Sequence, residues 1–422
     1  MTKNMNEYNH ILAERLMRYA RIPSQSSRDS TTVPTTACQF DMARELQREL
    51  IKIGADDVYL DEATCVLYAK LHSNLPDGQG SPLGLVAHLD TSPDAKGFDV
   101  KPRLLENYRG GDIVLNKELG IVMRESEFPN LKNYIGNDLV LTDGTTLLGG
   151  DDKAAIAAII TFVEHLIKHP EIKHGLISLA FTPDEEVGGL AKDLSLERFG
   201  VPTCYTIDGD YLGYYCDETF NASEADIVIH GFSVHPGTAK GKMKNAVDIA
   251  AEFMNLFPPD ERPQTTEGRQ GFYHMVAVSA EIEQAWLSLI IRDHDSKKFA
   301  AREKFVTDCA AKINRVYGEG TLELTIKETY RSMKEVTDRF PHLVENLRKA
   351  INMCGLEAKN EPFRGGTDGS ALSWRGLPAP NLSAGYENAH GRFEYVPIQS
   401  MAKNVEILLC LAQLLVKEKT SL

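Results

Sequence analysis

The chain alternates short apolar runs with helix-length amphipathic stretches, and several of the apolar runs stop abruptly at acidic residues. Runs at 83–89, 176–181 and 205–207 read as buried strands, and stretches at 7–21, 37–53 and 154–168 read as helices. That pattern specifies an α/β fold, a sheet covered by helices. In open sheets of this kind ligands lie beyond the carboxyl ends of the strands, so acids gathered at several such ends point to one shared site.

Around residue 221 the texture changes. Residues 225–230 alternate as a half-buried strand does, 245–257 reads as a helix, and 276–292 offers further strands. A smaller domain is therefore expected at 221–332, inserted between 1–220 and 333–422 of the main one. Within the last part, 340–354 and 405–417 read as helices, while the composition of 258–271 marks an exposed loop.

With 422 residues, 42% hydrophobic and 25% charged, the chain is too long for one core and too apolar for disorder. Lys plus Arg is 46 and Asp plus Glu is 60, a net charge of −14 that argues against nucleic acid or anionic membrane as a partner. The start lacks the basic and then apolar stretch of a secretory leader, and the longest largely apolar run, 154–163, falls short of the roughly 20 residues that span a bilayer. A cytoplasmic protein is expected. Seven scattered cysteines with no CxxC pair predict reduced thiols rather than a disulfide framework or a thiolate zinc cluster.

Five separated segments carry chemistry: AHLDTSPD (87–94), LLGGDDKAA (147–155), FTPDEEVGG (181–189), TIDGD (206–210) and ENAHGRFE (387–394). They supply two imidazoles and several carboxylates, a donor set that suits zinc, manganese or cobalt better than calcium. Such a cluster of carboxylates repels itself unless cations are bound. Each segment also has a plainer reading. His88 and Asp90 share a strand face, where Asp90 can brace the imidazole of a metal ligand, but His88 alone fits a structural residue, Asp151 and Asp152 fit helix caps, and Glu185 and Glu186 fit the start of a solvated helix. Asp208 fits a turn and His390 a surface loop. A phosphate loop is excluded, because GGDDKA lacks GK[ST] and places two negative charges where phosphate would sit.

Taken in order, these segments resemble the M20 family of dinuclear metallopeptidases over nearly the whole chain. VHPGTAKGKMKNA (234–246), TTEGRQGFYH (265–274), IIRDHD (290–295) and RGGTDGSALSWRGLPAPNL (364–382) narrow the likeness to a branch of tripeptide aminopeptidases. The resemblance implies a mixed sheet covered by helices with an inserted α+β lid or dimerisation domain, and two divalent ions per subunit, zinc first, cobalt or manganese otherwise. His88 and Asp208 would hold one ion, Glu186 and His390 the other, and Asp151 would bridge them. Asp90 would orient His88, Glu185 would act as general base, and His235, of the same chain or of a partner subunit, would donate to the oxyanion. Arg292 and Arg364 would grip a peptide carboxylate, although surface or interdomain ion pairs are their plainer reading. A short peptide substrate and a homodimer through the inserted domain are implied as well. Gly150 stands where the branch usually has alanine, and Asp210 and Tyr211 stand where glycines are usual. The alternatives are another M20 amidohydrolase (carboxypeptidase, dipeptidase or N-acyl amino acid deacylase) or a non-catalytic peptide-binding protein.

Overall fold

A computed structural model describes residues 5–76 and 79–417. It divides into two compact units. One comprises the described residues up to Asp217, then Glu335–Glu361, then those from Thr367 onward; the other comprises Glu218–Lys334 and Pro362–Gly366.

The first unit is built on an eight-stranded mixed sheet in the order Asp56–Leu60, Leu67–Leu71, Ile177–Thr182, Leu83–His88, Tyr205–Ile207, Asn381–Leu382, Tyr214–Cys216, Lys359–Asn360. Leu83–His88 runs parallel to Ile177–Thr182 on one side and to Tyr205–Ile207 on the other, with His88 opposite Thr182 and Val86 opposite Thr206. This register brings the acidic segments that follow three strands to one edge of the sheet.

The central strands Leu83–His88, Ile177–Thr182 and Tyr205–Ile207 are buried at every position because both faces are covered. Successive side chains point to opposite faces, so Leu83, Leu85 and Ala87 join the large core beneath the helices Met5–Ala20, Gly150–Lys168 and Ile398–Val416, while Val86 and Ala180 pack with Phe199, Leu372 and Ala379 on the other side. Truncating a fully buried side chain such as Leu85 to alanine costs about 2–5 kcal/mol. The expected helix 154–168 is present within Gly150–Lys168, but the backbone at Asp151 and Asp152 is not helical and neither side chain caps the helix. The capping reading of these two residues is thereby replaced by another role, described below.

The second unit is a four-stranded antiparallel sheet in the order Phe272–Ala280, Gln284–Asp293, Asn221–His230, Leu322–Tyr330. The helices Ala246–Met254 and Ser296–Tyr317 pack on it, sharing a core with Ile227, Leu287, Leu289 and Ile291. The 258–271 stretch is a largely exposed loop with one short turn of 3-10 helix, Pro263–Thr265. No helix among the described residues is long and apolar enough to cross a membrane.

Candidate metal centre

Where the central strands end, the chain turns sharply and leaves its acids at the same edge. His88 is the last residue of its strand, Asp208 follows Ile207, and Glu185 and Glu186 follow Thr182 after Pro183 and Asp184. Asp184 sits at φ +61 and is pinned: its carboxylate accepts from the Thr35 N–H (2.9 and 3.0 Å), the Thr35 hydroxyl (2.5 Å) and Gln39 Nε2 (2.6 Å). Beyond it, Asp90 Oδ1 accepts the Glu185 N–H at 3.0 Å and Asp90 Oδ2 the Glu186 N–H at 3.2 Å. Asp90 therefore holds two tasks, since its Oδ1 also stands 3.4 Å from His88 Nδ1.

The imidazoles converge on one carboxylate. His88 Nε2 is 2.9 Å from Asp151 Oδ1, and His390 Nε2 is 3.3 Å from Asp151 Oδ2 and 2.9 Å from Glu186 Oε2. His390 Nδ1 meets Asp94 at 3.2 Å, and Asp94 is held in turn by Arg28 at 2.7 Å. Two groups of donor atoms result, His88 with Asp151, Asp152 and Asp208, and Asp151 with Glu186 and His390, each group within 4.8 Å. Asp151 belongs to both. Asp152, read from sequence as a cap, is fully buried, and its Oδ2 accepts the His88 N–H at 3.2 Å.

Electrostatics fit the same picture. Burial and the neighbouring Asp151 push Glu186 up to about 7 and raise Asp208. Burial raises Glu185 well above the carboxylate range, and Asp152 likewise. Against burial, hydrogen bonds with Asp151 and Asp90 hold the His88 imidazole proton well above its usual range, and His390 is pushed up to about 11 by its bonds with Asp151 and Glu186. Hydrogen bonds from the two imidazoles, against burial, favour the charged form of Asp151, and without cations proton uptake relieves the charge on Glu186, Asp208 and Asp152. Divalent ions do the same through oxygen and imidazole donors, and the buried, unpartnered Glu186 Oε1 and Asp152 Oδ1 are acceptors left over for them. The residues fit a two-ion centre.

Sequence reasoning overlooked several supports. Tyr386 donates to Asp208 Oδ1 at 2.5 Å and accepts the Gly209 N–H at 2.7 Å. Asp368, buried and pushed up to about 7 by that burial, accepts the Thr182 hydroxyl at 2.5 Å. Their only sequence signal was position: Tyr386 directly precedes the segment of His390, and Asp368 lies in RGGTDGS. Asp210, next to Asp208, is pushed up to about 7 by burial and by Glu387.

His235, Arg292 and Arg364 belong to the second unit. The exposed His235 accepts the Gly237 N–H on Nδ1 at 3.1 Å. Arg292 donates Nη1 to the carbonyls of Ser223 and Ile291 and lies over the Tyr330 ring. Arg364 uses both Nη groups on the 266–270 loop, at Thr266, Gly268 and Gln270, and lies over Phe220 and Phe272. Neither pairing is the surface ion pair of the plainer reading.

Residues 148–414 match peptidase family M20/M25/M40. The chain belongs to that family and is an enzyme of the metallopeptidase class. It is 47% identical over 406 residues to Peptidase T of Caldanaerobacter subterraneus subsp. tengcongensis, covering 96% of this chain and 98% of that one. To Peptidase T of Clostridium botulinum it is 48% identical over 401 residues, covering 95% and 98%. In fold it is similar to the crystal structure of aminopeptidase PepT from Bacillus cereus, with a TM-score of 0.76 at 20% identity, covering 97% of this chain and 99% of that one.

Proposed function

We propose that this chain is a dinuclear metal-dependent aminopeptidase that releases the N-terminal residue of short peptides, tripeptides first among them. The observation that carries this reading is the Asp151 carboxylate, which faces His88 through one oxygen and His390 through the other. In the proposal His88 and Asp208 hold one ion, Glu186 and His390 the other, and Asp151 both. Zinc is the metal we assign, with cobalt or manganese as substitutes of similar demand.

When bound, such ions lower the pKa of a water and polarise the scissile carbonyl. Glu185 accepts a proton from the attacking water and passes it to the peptide nitrogen, so that the C–N bond breaks and a free amine leaves. A carboxyl kept basic by burial suits that transfer. Asp90 keeps Glu185 and His88 in place. His235 of the inserted unit donates an N–H to the oxygen that gains charge. We assign the peptide carboxylate to the planar guanidinium groups of Arg292 and Arg364. We further assign the inserted unit as a lid that pairs two copies into a homodimer, and the cytoplasm as the place of action.

A panel of free tripeptides, dipeptides and N-acetylated amino acids, assayed with zinc content measured alongside, tests the proposal. Fastest turnover on tripeptides with two ions bound is the expected result. Preference for an N-acetylated substrate would move the chain to another amidohydrolase activity of the family, and peptide binding without turnover would make it a binding protein.

A further inference from the structure

Glu394 closes the segment that carries His390, yet nothing in the reaction described above uses it. Its side chain is 1% exposed. Oε2 accepts the N–H groups of Leu148 and Gly149, both at 2.8 Å, and Oε1 accepts that of Asp151 at 2.9 Å. These three donors form the turn that enters the helix Gly150–Lys168, where they have no partner within the helix itself. The turn is shaped to the carboxylate: Gly149 has φ +74, and a Cβ on Gly150 would come within 3.0 Å of Glu394 Oε1 and 2.4 Å of Val396 Cγ2. This accounts for glycine at 150.

The other end of Glu394 is equally fixed. Glu387 and Tyr395 exchange backbone hydrogen bonds at 2.9 and 3.0 Å, closing the base of the loop that presents His390, and Tyr395–Pro397 pairs with Leu139–Leu141. One buried carboxylate thus ties the loop of His390 to the turn of Asp151, the two residues whose side chains meet at 3.3 Å. A nearby counter-charge is supplied by the buried Lys153, whose ammonium donates to the Ile22 carbonyl at 2.9 Å.

We propose that Glu394 is a positioning residue that sets the Asp151 carboxylate against His390 and so governs how tightly the ion shared by Asp151, Glu186 and His390 is held. The inference rests on the two-ion reading above. Residues behind metal ligands typically alter metal affinity or activity by about 10- to 100-fold when changed, and a buried carboxylate satisfying three N–H groups beside a ligand belongs in that range.

The test compares wild type with Glu394→Gln and Glu394→Asp by zinc titration against a chromogenic chelator, with melting temperature measured in the metal-free state and kcat and KM at rising zinc. Gln keeps the size but turns an N–H₂ toward the donors, while Asp keeps the charge and withdraws it by one carbon. Expected is a second-ion affinity weaker by about 10- to 100-fold, with KM unchanged and kcat recovering as zinc is raised. Should Glu394→Gln fail to fold, Glu394→Asp carries the measurement. Wild-type affinity for both ions in the folded variants overturns the proposal. A wild-type chain that takes up no zinc overturns the two-ion reading instead.

Discussion

The Asp90 carboxylate receives the Glu185 N–H at 3.0 Å, so the residue that stands behind the proposed metal ligand His88 also fixes the turn bearing the proposed base. Ligand and base are thus oriented by one buried side chain, which is fully enclosed. Asp90→Asn removes the charge and one acceptor while keeping the shape. Turnover is expected to fall by about 10- to 100-fold, read from kcat at saturating zinc, and a wild-type kcat would separate Asp90 from catalysis.

Glu185→Gln is expected to retain both ions and lose about 10²- to 10⁴-fold or more in kcat. Metal content and single-turnover assays on a tripeptide check this together. Near-normal turnover in that variant defeats the assignment of the base.

For His235→Ala the expected loss is about 10²- to 10³-fold in kcat, the size found when one oxyanion donor is removed. Metal content stays as in wild type. An unchanged kcat removes His235 from the mechanism.

Zinc affinity is expected to fall as the pH is lowered. His390 is pushed up to about 11 and His88 well above its usual value in the metal-free chain, so each imidazole holds a proton that an arriving cation must displace. Binding therefore releases protons. Calorimetric titration in buffers of different ionisation enthalpy measures that release, and equal affinity at about pH 8 and about pH 6 would contradict it.

A separate ion network joins the first helices to the core. Arg15, 3% exposed, meets Glu49 at 2.8 Å and Glu164 at 2.6 Å. Burial works to raise Glu49, but hydrogen bonds from Tyr19, Arg15 and Arg18 hold it below its usual value. A depressed folded pKa contributes stability above the unfolded value of about 4.3 and loses it as pH falls through the folded one. Urea unfolding is thus expected to reveal weakening below about pH 4. Arg15→Met, which leaves the half-buried Glu49 to Arg18 and the half-buried Glu164 to Lys168, is expected to cost about 1–3 kcal/mol at neutral pH.

The buried strands 83–89, 176–181 and 205–207 were legible because a strand covered on both faces is apolar at every position. The candidate donor segments were legible because Asp, Glu and His gather at several strand ends, while the share of each residue in an ion site came only from the family resemblance. The helix Ser296–Tyr317 was not recognised, although Asp295 caps it with bonds to the N–H groups of Lys297 and Lys298 at 2.9 Å. Its buried face, Phe299, Val306, Cys309, Ala310 and Ile313, is sparse among charged residues and gives a weak period. The short strands Arg103–Leu105 and Leu139–Leu141 were missed because three-residue runs find their partners only in the folded chain. Asp152 and Tyr386 acquired their roles through hydrogen bonds to distant backbone and side-chain atoms, which local spacing does not encode.

Asp94 and His390 touch although they are 296 positions apart, and the inserted unit lies between them in sequence. Translation delivers the early donors long before the late ones, so a growing polypeptide that has not reached residue 388 carries only part of the centre. Under the proposed function the centre is thereby withheld until synthesis is nearly over, and loss of the final stretch removes His390 together with the helix Ile398–Val416 that packs in the main core.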